Sequence, residues 1–228
     1  MSNRVIVALD FESRRKALAL VDALGVEASF YKVGLQMLAE EGPDIVRYLV
    51  AMGKEVFLDL KVHEIPNSVA GAVNAAGKLG ASMVTVHASG GSAVLRSAVA
   101  AAKPFPHLRV LALTVITSLT DQELPEIGLA PSVSQQVERL GRLAAEHGCH
   151  GVVASVQEAE LLSSMLPRGT LIVTPGIHLP STAQNDQSRT ASPALAAQAG
   201  ATHIVIGRAV TRAENPASAF REAAKAFM

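Results

Sequence analysis

The stretch "FLDLKVHEIPNSV", residues 57–69, opens as a buried β-strand and then places Asp59, Lys61 and Glu64 within six positions. Side chains two apart on a strand share a face, so Asp59 and Lys61 are expected to point the same way. A helix-like segment, "PNSVAGAVNAAGKLG", follows at once. The charges therefore fall where a strand hands over to a helix.

Outward from this stretch the same alternation recurs. Short β-branched runs predict strands at Val5–Leu9, Phe30–Val33, Val56–Leu60, Met83–His87, Val110–Val115, Gly151–Ala154, Leu171–Thr174 and His203–Ile206. The first five begin roughly every 26 residues, about one βα unit each. Between them lie Ala/Leu-rich amphipathic segments, with Ser13, Asn67, Ser132 and Ser192 as expected N-caps. Gly25, Gly80, Gly148 and Gly200 mark the expected helix stops. Eight such units predict a single (β/α)8 barrel, the TIM-barrel class of α/β fold, over residues 1–228. The rival is a doubly wound open sheet, which would want a Gly-rich phosphate turn after the first strand. That turn reads "ALDFESRRK" and contains no glycine.

Composition narrows the function classes. Twenty basic and twenty acidic residues leave no net field to recruit nucleic acid or an anionic membrane. There is no Trp, and aromatics are only 4% of the chain, which argues against base-stacking surfaces. Cys149 is the one cysteine, so neither an internal disulfide framework nor a cysteine zinc site is expected. The start "MSNRVIVALD" lacks signal-peptide features, and no apolar run reaches membrane-span length. The expectation is a soluble, cytoplasmic protein.

In a barrel of this kind catalytic groups gather where the strands end. Asp10 ends the first strand, and Lys32 lies within the second, in "YKVG". Asp59 and Lys61 end the third, with Glu64 just beyond, and His87 ends the fourth. Thr117 and Ser118 follow the fifth, "TPGIH" the seventh, and Gly207 with Arg208 the eighth. A lone acid or lysine at a strand end is commonly a cap or a surface charge. Two lysines and two or three acids aimed at one barrel mouth are costly to desolvate, and alternating sign is the arrangement that survives. Such an array suits a reaction that creates charge on a carbon. "IVIGRAV" adds a glycine and an arginine that can grip a phosphate, and loops after strands seven and eight often hold one.

These motifs resemble the orotidine 5′-phosphate decarboxylase family. "FLDLKVHEIPNSV" is similar to that family's "DLKxHDIPNT", and "VALD", "YKVG", "VHASGG", "TPGI…DQ" and "VIGR" occur in the family's order. The resemblance runs from Val5 to about Pro216. It implies a cofactor-free and metal-free decarboxylase acting on orotidine 5′-phosphate in pyrimidine biosynthesis. It makes Lys61 the proton donor to the reacting carbon, with Asp59, Lys32 and Glu64 completing the catalytic set. Asp10 and Lys32 would bind the ribose, and Asp59 would lie near the substrate carboxylate. Thr117, beside Ser118, would meet the pyrimidine edge. Gln187, Gly207 and Arg208 would take the phosphate. The family's active sites are shared across a homodimer, so Glu64, Ile65 and Ser68 would serve the neighbouring subunit. His63 and His87 also fall at family positions, and as strand-end histidines are expected to be structural.

Two positions depart from the family pattern. Glu64 stands where the family has aspartate, keeping the charge but changing its reach. His178 stands where the family has arginine, so a permanent cation at the phosphate becomes a group that titrates near neutrality. Substrate binding is then expected to weaken as pH rises, with Arg189 a possible replacement cation. The alternatives are a sugar-phosphate decarboxylase or aldolase of the same superfamily, which would want an acid at Lys32, and a non-catalytic nucleotide-phosphate binder.

Overall fold

The eight β-branched runs form strands β1 (Val5–Ala8), β2 (Phe30–Gly34), β3 (Glu55–Val62), β4 (Met83–His87), β5 (Arg109–Leu113), β6 (Gly151–Val153), β7 (Leu171–Ile177) and β8 (His203–Ile206). The computed structural model describes residues 4–130, 132–179 and 191–228. Every strand pairs in parallel with the next, and β8 pairs with β1 through Val5–Ile204, Ile6–Val205 and Val7–Ile206. The sheet is closed, so the open-sheet alternative falls and the (β/α)8 barrel stands.

Helices cover the outside. They are α1 (Arg14–Leu24), α2 (Leu35–Glu41), α3 (Asp44–Ala51), α4 (Pro66–Lys78), α5 (Ser92–Ala102) and α6 (Val133–Glu146). After β6 come α7 (Val156–Met165), α8 (Pro193–Gln198), α9 (Arg208–Thr211) and α10 (Pro216–Phe227). Ser132 and Ser192 cap α6 and α8 as the sequence predicts, accepting from Gln135 N–H and Leu195 N–H. Asn67 does not cap α4: the helix starts earlier, at Pro66, with Ile65 in the cap position. Proline suits the first helical turn because it has no N–H to leave unpaired. Among the described residues no helix is long and apolar enough to cross a membrane.

Strand parity positions the site. Ile6, Phe30, Phe57, Met83, Leu111 and Val173 belong to an apolar cluster of their own inside the barrel. Their strand neighbours, among them Val7, Leu58 and Val84, join the larger core under the helices. Two residues further along the inward face, Phe30 gives way to Lys32, Phe57 to Asp59 and Met83 to Thr85. An apolar floor thus carries a polar layer at the C-terminal mouth. β3 runs two residues beyond the predicted Leu60, so Lys61 lies inside the strand rather than after it.

The opposite end of the barrel carries an acid-sensitive group. His203, at the start of β8, packs edge-on against Phe30 with ring centroids 6.3 Å apart. Burial, and then the nearby Arg4 cation, push its imidazole down to about 4. The unfolded chain takes up that proton near the ordinary histidine value of about 6.5, whereas the folded state resists it. Stability is therefore full above that value and falls with pH down to about 4, by up to roughly 3 kcal/mol. Urea midpoints should drop between about pH 7 and pH 5, and His203→Gln should flatten that slope. An unchanged slope in the variant would remove His203 as the cause.

Candidate active site

Four charged side chains meet at the mouth. Lys32 Nζ donates to Asp10 Oδ1 at 2.9 Å and lies 3.7 Å from Asp59 Oδ2. Lys61 Nζ donates to the same Asp59 oxygen at 2.6 Å. The series Asp10–Lys32–Asp59–Lys61 alternates in sign. The inner pair is deep, with side chains 11% (Lys32) and 9% (Asp59) exposed, while Lys61 is 38% and Asp10 53% exposed. Burying Lys32 and Asp59 is tolerable because each has opposite charges within reach. Lys61, at the open end, is the more available ammonium of the two in this series.

The backbone here is unusual. Lys61 has φ 49°, the one positive value at a non-glycine residue among the described residues. That conformation costs an L-residue about 1–2 kcal/mol. The β3–β4 register shifts between Leu58 and Val62, across the same residues. The alternation that predicts a shared face for Asp59 and Lys61 is thus broken at Lys61, yet the side chains still meet. Gly34, at the end of β2, leaves room for the array. A Cβ there would lie 3.1 Å from Lys32 Nζ and 3.2 Å from Asp10 Oδ1.

The array lines a cavity of about 730 Å³, together with Thr117, Gly176, Gly207 and Arg208. β7 continues past the predicted Thr174 to Ile177, carrying Gly176 to the cavity wall. Lys16 and Arg212 also line it, and neither is anticipated from sequence. Arg212 is four residues beyond Arg208, the spacing of one helix face, which was a readable signal. Lys16, on α1, carried none beyond its charge.

The remaining predicted residues lie elsewhere. Glu64 and Ser68 are exposed and outside this chain's cavity lining, and Glu64 Oε1 accepts the Ile65 N–H at 2.7 Å. Ser118 is exposed and also outside the lining. His178 is half-buried and outside it too, and its Nδ1 has no hydrogen-bond partner among the described residues. Gln187 and Arg189 lie outside the described residues. His63 and His87 stack on each other with ring centroids 5.0 Å apart. Burial, then the neighbouring His63 and Lys61, hold the His87 imidazole below its ordinary value. Among the described residues, no three His, Cys, Asp or Glu side chains are grouped to hold a metal ion.

Known proteins share this sequence and this barrel. A family model described as "Orotidine 5'-phosphate decarboxylase / HUMPS family" matches residues 3–223. The orotidine 5′-phosphate decarboxylase of Alkalilimnicola ehrlichii is 47% identical over 95% of this chain and 93% of its own. That of Pseudoalteromonas translucida is 41% identical over 99% of this chain and 97% of its own. The crystal structure of the Lactobacillus acidophilus orotidine 5′-phosphate decarboxylase superposes with a TM-score of 0.88, at 33% identity and 99% coverage of both chains. With matching motifs, barrel and near-complete coverage, the chain belongs to the orotidine 5′-phosphate decarboxylase / HUMPS family.

Proposed function

We propose that this protein decarboxylates orotidine 5′-phosphate to uridine 5′-phosphate, a step of pyrimidine biosynthesis, with no cofactor or metal. The observation that carries the reading is the alternating Asp10–Lys32–Asp59–Lys61 series in one cavity with Gly207 and Arg208. The bond from C6 to the carboxylate breaks, its electron pair stays on C6, and carbon dioxide leaves. That carbanion is poorly delocalised. The Lys61 ammonium stabilises the charge as it develops and then transfers its proton to C6. The amine left behind regains a proton from solvent.

Asp59 aims Lys61, and Lys32 lies beside Asp59 while reaching Asp10 at the ribose. Thr117 meets the pyrimidine edge. Gly207 and Arg208, with Gln187 from the β7–α8 segment, take the phosphate. Binding energy from that remote group helps to desolvate the reacting carbon. A sugar-phosphate reaction through a metal-bound enediolate fits less well. Asp10 and Asp59 already share Lys32, and a divalent cation would have to displace that ammonium.

The active form is a homodimer in which Glu64, Ile65 and Ser68 complete the neighbour's site. Leu35, Ile65 and Ile116, just after β2, β3 and β5, are 59%, 61% and 43% exposed, which supports a covered face at the mouth. The protein acts in the cytoplasm on a small molecule. Its balanced charge offers no attraction to nucleic acid or membranes.

The test is turnover of orotidine 5′-phosphate by enzyme dialysed against a chelator. One carbon dioxide and one uridine 5′-phosphate per substrate are expected, with no gain from added magnesium. Uridine 5′-phosphate binding without turnover would make the protein a binder instead. Activity on sugar phosphates that requires magnesium would favour the other branch of the family.

A further inference from the structure

Thr85 sits on β4, two residues beyond Met83 of the apolar floor, and is fully buried. Its Oγ1 accepts the Lys61 backbone N–H at 2.9 Å and lies 2.8 Å from Asp59 Oδ1. A backbone amide can only donate, and an ionised carboxylate can only accept. The one hydroxyl proton is therefore committed to Asp59, and an oxygen lone pair to Lys61.

We infer that Thr85 is a positioning residue for the reaction, tying the backbone of the proton donor and the carboxylate that aims it to a single atom. This rests on the roles proposed for Asp59 and Lys61. The β3–β4 ladder is out of register between Leu58 and Val62, so Lys61 N–H lies where regular pairing fails. Thr85 supplies the missing acceptor from its side chain and holds Lys61 at φ 49°. With Oδ1 held by Thr85, the other oxygen, Oδ2, faces Lys61 Nζ at 2.6 Å and Lys32 Nζ at 3.7 Å. Serine or threonine can do both jobs. Valine has the shape and neither hydrogen bond.

The test compares Thr85→Val, Thr85→Ser and Lys61→Ala with the wild type, reading kcat and KM for orotidine 5′-phosphate and Kd for uridine 5′-phosphate. Thr85→Val should lose roughly 10- to 100-fold in kcat, the cost of a misplaced supporting contact. Product binding should stay within about threefold, because phosphate and base contacts lie elsewhere. Thr85→Ser should restore most of kcat. Should the valine variant fail to fold, Thr85→Cys takes its place, with similar volume and only a weak donor. Unchanged kcat in the folded variant would overturn the inference, as would equal loss of kcat and product binding, or a serine variant as poor as valine. Wild-type turnover by Lys61→Ala would instead overturn the roles on which it rests.

Discussion

Lys61→Ala is expected to lower kcat for orotidine 5′-phosphate by at least about 10⁴-fold, because in the proposed mechanism one group supplies both charge stabilisation and the proton. Among the described residues the cavity's other two lysines are already paired, Lys16 Nζ with Glu12 at 2.7 Å. Lys32 Nζ donates to Asp10 at 2.9 Å and lies 3.7 Å from the Asp59 oxygen that Lys61 contacts at 2.6 Å. The variant should fold. The Lys61 side chain is 38% exposed, and Asp59 keeps both Lys32 and Thr85 as partners. Alanine at φ 49° keeps the backbone strain without the ion pair, a modest cost. Product binding within a few-fold of wild type, measured by titration with uridine 5′-phosphate, would separate lost chemistry from lost structure. A variant retaining a tenth of wild-type kcat would remove Lys61 from the reacting carbon.

Lys32→Met should damage both activity and stability. Its side chain is 11% exposed and bridges two carboxylates. Removing one member of a buried ionic set leaves the other uncompensated, which costs about 3–5 kcal/mol for an isolated pair. Asp59 retains Lys61 and Thr85, so the expected loss is smaller, about 2–3 kcal/mol, read as a lower urea midpoint. Without the central cation, Asp59 and Asp10 repel across the gap and the aim of Lys61 shifts. A fall in kcat of about 10²- to 10³-fold is expected. A stable variant with wild-type kinetics would reduce Lys32 to a bystander.

The barrel and most of the charged mouth were legible in the sequence for simple reasons. Eight apolar runs of strand length alternate with amphipathic helices, and charges at strand ends stand out against that background. Asp59 and Lys61 were readable as a pair from spacing alone. The left-handed backbone of Lys61 was not, because it follows from a register shift that exists only once β3 and β4 pair. Gly34 falls just past the predicted Phe30–Val33 strand, and its use as space beside the Lys32–Asp10 contact is a tertiary fact. Thr85 was hidden for a different reason. In "MVTVH" a threonine reads as an ordinary strand former, and only barrel closure reveals that its face continues the polar layer. Glu64 and Ser68 read as site residues from their motif, yet both lie outside the cavity lining of this chain.

The most direct measurement of the central claim is proton exchange at the reacting carbon. If the Lys61 ammonium gives its proton to C6 in the forward direction, its amine must remove the C6 proton of uridine 5′-phosphate in reverse. In deuterated water the wild type should place deuterium at C6 of bound uridine 5′-phosphate faster than buffer alone, and Lys61→Ala should not. Exchange at the wild-type rate by a folded, product-binding Lys61→Ala would contradict the account.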